Sequence, residues 1–183
     1  GAEYLGCKPE DVDLDGEYVT ELATGKQISR SQIGNNVMCF SNAPLSASEA
    51  FSSPVSPPPF MVGMAEVEID KETGVLELID YVAVVDCGTV INPSLARVQV
   101  EGGIAQGIGM ALYEDVVYNE KGKNFSNSLM QYKIPTRLDV GTIRVEFESS
   151  YEPTGPFGAK SIGEIVINTP SPAISNAIQN ATG

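Results

Sequence analysis

The stretch MVGMAEVEIDKETGVLELIDYVAVVD, residues 61–86, decides the fold. Near the end of its first half, the apolar residues Ala65, Val67 and Ile69 alternate with acidic ones, which is the period of a strand with one buried face. Residues 71–74 then turn the chain, and the apolar run 75–86 returns it. We predict a long antiparallel hairpin whose second strand is buried on both faces, as continuous apolar strands usually are.

Weaker signals precede this hairpin. Residues 2–5 resemble the end of a helix capped by Gly6, which suggests an excerpt of a longer chain. Residues 12–22 predict two short strands around an Asp-Gly turn, and residues 25–37 are a weak helix candidate. The proline-rich and serine-rich residues 40–59 predict an irregular segment, either a linker or a binding loop.

The signals after the hairpin are stronger. Asn92 and Pro93 suit the cap and first position of a helix, and apolar spacing extends that helix to about Tyr118. Residues 142–149 alternate as a strand, and a last helix begins at Ser171-Pro172. The fold class is α+β: the long hairpin and a mixed sheet packed with a glycine-rich helix and a C-terminal helix.

Four glycines lie inside the first of these helices, at positions 102, 103, 107 and 109. Each interior glycine costs about 0.5–1 kcal/mol relative to alanine. Two explanations are open. The helix packs closely against the sheet, or a ligand approaches its backbone.

Composition excludes several classes of function. The 183 residues include 24 acidic and 11 basic side chains, for a net charge of −13, which disfavours nucleic acid and anionic membranes as partners. Three scattered cysteines, Cys7, Cys39 and Cys87, favour a reducing compartment, and we expect a cytoplasmic protein. The absence of histidine argues against zinc hydrolases and histidine-based triads.

The best candidate for chemistry is Glu164, in the glycine-rich stretch YEPTGPFGAKSIGEIVINTPSPAISN, residues 151–176. Its neighbours are mostly apolar or small, with Lys160 and Ser161 as the nearby polar side chains. Apolar surroundings would disfavour the charged carboxylate and make it a usable base near neutral pH. The alternative is a surface loop whose glutamate points to water.

Residues 155–161, GPFGAKS, superficially suggest a phosphate-binding loop. That motif requires a glycine directly before the lysine and a helix directly after the loop. Here Ala159 precedes Lys160, and the next helix is expected only near Pro170 or Pro172. We therefore reject nucleotide hydrolysis.

Four segments together resemble one family: SPPPFMVGMAEVEIDKETGVLELIDYVAVVDCGTVINP (56–93), QVEGGIAQGIGMALYED (99–115), QYKIPT (131–136) and GAKSIGEIVINTPSPAISNAI (158–178). In order and spacing they are similar to the C-terminal part of the molybdenum-binding subunit of xanthine dehydrogenases, which are molybdenum hydroxylases. The resemblance covers nearly the whole chain from Ser56 onward. Residues 1–183 would then form the C-terminal portion of a molybdopterin-binding domain.

The resemblance implies hydroxylation of a substrate carbon with oxygen derived from water, at a molybdenum–pterin cofactor. Glu164 matches the family's general base, and Gln99 matches the glutamine that hydrogen-bonds the pterin. Ala159, Lys160 and Ser161 match the cofactor-binding loop, without individual roles and without a metal ligand among them. Many members have proline directly after the catalytic glutamate, whereas this chain has Ile165, which leaves the substrate subclass open.

The implied substrate is a small heterocycle, a purine such as xanthine or hypoxanthine. Alternative substrates are an aldehyde, nicotinate or another heterocycle. The alternative without catalysis is an assembly domain that has kept the fold. Fe–S and FAD centres would lie on other domains or subunits, because the cysteines form no cluster pattern. Because the family's other cofactor-binding segments lie upstream of the matching residues, we expect the 183-residue piece alone to be inactive and to carry no molybdenum.

Overall fold

A computed structural model describes residues 1–41, 46, 48–50, 52–53 and 55–183. The chain forms two compact units, Gly1–Ser52 and Ser53–Gly183, and every predicted site residue lies in the second. The irregular segment predicted for 40–59 falls partly outside the described residues. No helix in the described ranges is both long and apolar enough to cross a bilayer.

The first unit is built around a small antiparallel sheet, as the Asp-Gly turn predicts. Its strands pair in the order β1-β2-β3. The elements are α1 (Ala2–Leu5), a 3₁₀ turn (Pro9–Asp11), β1 (Val12–Asp15), β2 (Tyr18–Glu21), β3 (Gln27–Ser29), α2 (Arg30–Asn36) and a π-helical turn (Val37–Ser41).

The weak helix candidate at 25–37 is therefore only partly correct. Residues Gln27–Ser29 pair with β2 instead, and the helix begins at Arg30. Ser29 and Gln32 form a reciprocal capping box there, which satisfies two N–H groups at the helix start. Strand pairing thus overrides the helical spacing of the first half of this segment.

The second unit contains the predicted hairpin as β4 (Phe60–Ile69) and β5 (Leu76–Asp86). The predicted strand at 142–149 is β6 (Thr142–Glu148), and it pairs parallel to β5. The sheet order is β4-β5-β6, so the sheet is mixed and β5 is its central strand. The α+β prediction is confirmed.

The prediction that β5 is buried on both faces is wrong. Tyr81, Ala83 and Val85 are fully buried, but Val84 on the opposite face is 38% exposed. The reason is that the helices of residues 93–112 and 170–182 both cover the face of the sheet that carries Tyr81, Ala83 and Val85. Where Glu66 pairs with Asp80 and Val67 with Leu78, Ile79 is the extra residue of a β-bulge.

The first long helix, α3 (Pro93–Leu112), begins as predicted, with the Asn92 side chain accepting a hydrogen bond from the Leu95 N–H at 3.1 Å. It ends before Tyr118, so the predicted end is wrong. The carbonyl of Gly109 accepts the N–H groups of both Tyr113 and Glu114, which closes the last turn. A 3₁₀ turn (Pro156–Gly158), α4 (Ile165–Asn168) and α5 (Pro170–Thr182) follow β6.

Close packing explains two of the helix glycines, while the approach of a ligand to the helix backbone stays a prediction. A Cβ at Gly103 would lie 2.9 Å from Val166 Cβ, and one at Gly107 would lie 2.6 Å from Pro170 Cγ. Close packing therefore requires these two glycines, but the packing partners are α4 and α5 rather than the sheet. A Cβ at Gly102 would meet nothing within 4 Å, so the helix backbone is open to a ligand there.

Candidate active site

Glu164 directly precedes α4, a helix that sequence reasoning missed when it placed the next helix near Pro170. Val166, two residues further on, is buried in the core, while the Glu164 side chain is exposed. The expectation of apolar surroundings is therefore wrong for the part of the chain that the structure describes. The helical turn directs the apolar neighbours inward and leaves the carboxylate outside.

The structure brings Gln99 next to Glu164, although the two are far apart in sequence. Gln99 Nε2 donates a hydrogen bond of 3.0 Å to the carbonyl oxygen of Gly163. A cavity of about 400 Å³ lies at this contact, between α3 and the start of α4. Its walls are formed by Val98, Gln99, Gly102, Gly103, Gln106, Gly163, Glu164, Val166 and Ile167.

The other predicted site residues line neighbouring cavities. Ala159 and Lys160 border a largely apolar cavity of about 490 Å³, and Gln99 and Val98 form a wall of it as well as of the Glu164 cavity. Ser161 is exposed and borders a third cavity, beside residues 55–57. Gln99 and Val98 thus line both the apolar cavity and the Glu164 cavity.

Lys160 forms an ion pair that sequence reasoning missed. Its Nζ lies 2.5 Å from Asp86 Oδ2, and the other carboxylate oxygen accepts hydrogen bonds from Ser150 Oγ at 2.6 Å and from the Gly88 N–H at 3.0 Å. The hydrogen bonds from Lys160 and then Ser150 lower the pKa of Asp86 to about 2. No local motif signals a pair separated by 74 positions.

Backbone hydrogen bonds hold the same loop against the end of β5. Lys160 N–H donates to the Cys87 carbonyl at 2.7 Å, and Thr89 N–H donates to the Gly158 carbonyl at 2.8 Å. Phe157, in this loop, has a φ of 54°, a strained conformation for a residue with a side chain. The loop that leads to Glu164 is therefore tied down on one side by β5.

The site residues fit a pterin better than a bare metal ion. The carboxamide of Gln99 offers both a donor and an acceptor, the pairing that the edge of a pterin ring requires. The space above Gly102 is open, so a planar group can approach the helix backbone. Within the described ranges, no three His, Cys, Asp or Glu residues come close enough together to hold a metal.

Comparison with known proteins agrees with this fit. The family model described as molybdopterin cofactor-binding domain matches residues 1–141. A probable hypoxanthine oxidase of Escherichia coli K12 is 32% identical over all of this chain, and the gamma subunit of the 6-hydroxypseudooxynicotine dehydrogenase complex of Paenarthrobacter nicotinovorans is 31% identical over 98% of it. The chain spans only 19% and 24% of these relatives.

Solved structures show the same fold. Quinoline 2-oxidoreductase from Pseudomonas putida 86 superposes with a TM-score of 0.80 and 30% identity, over 98% of this chain and 24% of that one. The Cu,Mo-containing CO dehydrogenase gives a TM-score of 0.80 and 26% identity, over 98% and 23% of the two chains. The chain therefore belongs to the molybdopterin cofactor-binding domain family of the molybdenum hydroxylases.

Proposed function

We propose that this chain is part of a molybdenum hydroxylase that oxidises a purine, with Glu164 as the general base and Gln99 as a pterin-binding residue. One observation carries the proposal: the Glu164 carboxylate and the Gln99 carboxamide line a single cavity that opens onto the bare backbone at Gly102. Ala159, Lys160 and Ser161 belong to the loop beside it. The hypoxanthine oxidase name of one relative supports the choice of purine.

The proposal assigns residues 1–183 to the C-terminal portion of the molybdopterin-binding domain. Fe–S and FAD centres on other domains or subunits would carry the electrons away. The name of the Paenarthrobacter relative, a subunit of a dehydrogenase complex, supports such an assembly.

In this mechanism, the chain's own residues place a base and a hydrogen-bonding amide around the reacting group. When bound, the molybdenum–pterin cofactor would supply the two-electron redox chemistry. The Gln99 side chain donates one N–H to Gly163 and retains an acceptor oxygen and a second N–H for the pterin edge. Glu164 accepts a proton at its carboxylate oxygen.

The test is Glu164→Gln in the complete enzyme. The amide keeps the shape of the side chain but cannot accept the proton, so we expect the rate of single-turnover reduction by hypoxanthine to fall by about 10²–10⁴-fold. Molybdenum content should not change. Glu66→Gln is the matched control, because Glu66 is an exposed carboxylate on β4, outside the cavity. A near-normal reduction rate in Glu164→Gln would remove Glu164 from the mechanism and would favour a non-catalytic assembly domain.

A second candidate is oxidation of an aldehyde, nicotinate or another heterocycle by the same residues. The observation that keeps it open is Ile165, because many members of the family have proline directly after the catalytic glutamate and this chain does not. Anaerobic reduction of the complete enzyme by hypoxanthine, an aldehyde and nicotinate, measured side by side, separates the two candidates. Fast reduction by an aldehyde or nicotinate, with none by hypoxanthine, would overturn the purine assignment.

A further inference from the structure

We propose that Asp86 and Lys160 are positioning residues, whose ion pair fixes the loop that presents Glu164. This inference rests on the proposed role of Glu164 as the base. It gives Lys160 a task different from direct cofactor binding.

The two charges of the ion pair are largely buried. The Lys160 side chain is only 8% exposed and that of Asp86 is 21% exposed. The ammonium also lies 5.3 Å from the centre of the Phe60 ring, on the neighbouring strand. A cation in such surroundings needs a counter-ion, because loss of the counter-ion leaves a buried positive charge uncompensated. The Asp86 carboxylate therefore fixes the position of the Lys160 ammonium.

Three groups hold the Asp86 carboxylate in place. Its carboxylate accepts hydrogen bonds from the Lys160 ammonium, the Ser150 hydroxyl and the Gly88 N–H. Asp86 is the last residue of β5, the central strand. The ion pair thus connects the loop to the most firmly held strand of the unit, and not to another loop.

Glu164 lies between residues that are held in place on both sides of it. On its N-terminal side, Lys160 is tied to β5 through its side chain and its N–H, and Gly163 is bonded to Gln99 on α3. On its C-terminal side, Val166 is buried against Gly103. An error of about 1 Å in the placement of a catalytic group can cost about 10²-fold in rate. Release of the Lys160 tether should therefore slow the chemistry without removing the base.

The experiment uses Asp86→Asn in the complete enzyme, with Glu164→Gln measured in parallel. Per bound molybdenum, we expect kcat in Asp86→Asn to fall by about 10- to 100-fold, with KM and molybdenum content near wild type. Hydrogen exchange should accelerate in the peptide covering residues 155–164 and stay unchanged in residues 93–112. Lys160→Arg keeps the charge and should retain more activity than Lys160→Met.

Asp80→Asn is the matched control. It breaks the ion pair between Asp80, also on β5, and Arg144 on β6, but there the arginine side chain is 62% exposed. Its activity and loop exchange should match the wild type. If Asp86→Asn does not fold, Ser150→Ala removes one hydrogen bond from Asp86 and should give a smaller change in the same direction.

The outcomes separate the two proposals. If Glu164→Gln is inactive while Asp86→Asn, or Ser150→Ala in its place, has normal kcat and normal loop exchange, the positioning role is overturned. If activity falls only in proportion to molybdenum content, the pair is merely structural and the inference is also overturned. If Glu164→Gln keeps full activity, the proposed function itself fails.

Discussion

Substitution of Gly103 by alanine tests the packing between α3 and α4. The new Cβ would lie 2.9 Å from Val166 Cβ and 3.4 Å from the Val166 backbone carbon. A rotation of the valine side chain cannot relieve contacts with its Cβ and backbone, so α4 must move. Overpacking of a core typically lowers the free energy of unfolding by about 1–3 kcal/mol. The higher helix propensity of alanine offsets about 0.5–1 kcal/mol of this loss. We expect a net loss of about 1–2 kcal/mol in the free energy of unfolding.

Gly102→Ala is the matched control, because it introduces the same methyl group one residue earlier on the same helix. A Cβ there meets nothing within 4 Å, so only the propensity gain of about 0.5–1 kcal/mol remains. Urea unfolding of the 183-residue chain, followed by far-UV circular dichroism, measures both variants. Equal stability of the two variants, or a more stable Gly103→Ala, would refute the packing argument.

In the complete enzyme, Gln99→Ala should lower pterin content per protein, because it removes a hydrogen bond worth about 0.5–1.5 kcal/mol; unchanged occupancy and turnover would contradict the assignment. Asn92→Ala should destabilise α3 by about 1 kcal/mol in urea unfolding, whereas Asn92→Asp keeps the cap and should be nearly neutral. Because the pKa of Asp86 is lowered to about 2, its contribution to stability is full above about pH 4 and is lost as the pH falls towards 2. Denaturant unfolding across that range should show a smaller loss of stability in Asp86→Asn than in the wild type.

The sequence predicted correctly those elements that depend on residues close to one another in the chain. The hairpin of β4 and β5 follows from alternation and a turn, and the start of α3 follows from the Asn92-Pro93 cap. The end of α3 was missed because apolar residues continue past Leu112, while the carbonyl at Gly109 closes the helix.

For the candidate site, the sequence likewise predicted individual residues but not the contacts between distant segments. The local sequence singled out Glu164 and the family resemblance added Gln99, and the structure places both on one cavity. The exposure of Glu164 could not be predicted, because it depends on the short helix that turns Val166 into the core. The contact between Asp86 and Lys160 joins distant segments, and it exists only once β5 and the loop are assembled.

The central place of β5 has a consequence for the order of folding. Its partner β4 is joined to it by the short turn of residues 70–75, whereas β6 arrives only after residues 87–141. Closing the longer connection costs more chain entropy, and such non-local pairings form late. During synthesis, one edge of β5 therefore stays unpaired until β6 has emerged, and an open strand edge invites association with other chains. The site loop, which follows β6 and binds the end of β5, should be among the last parts of this unit to become native.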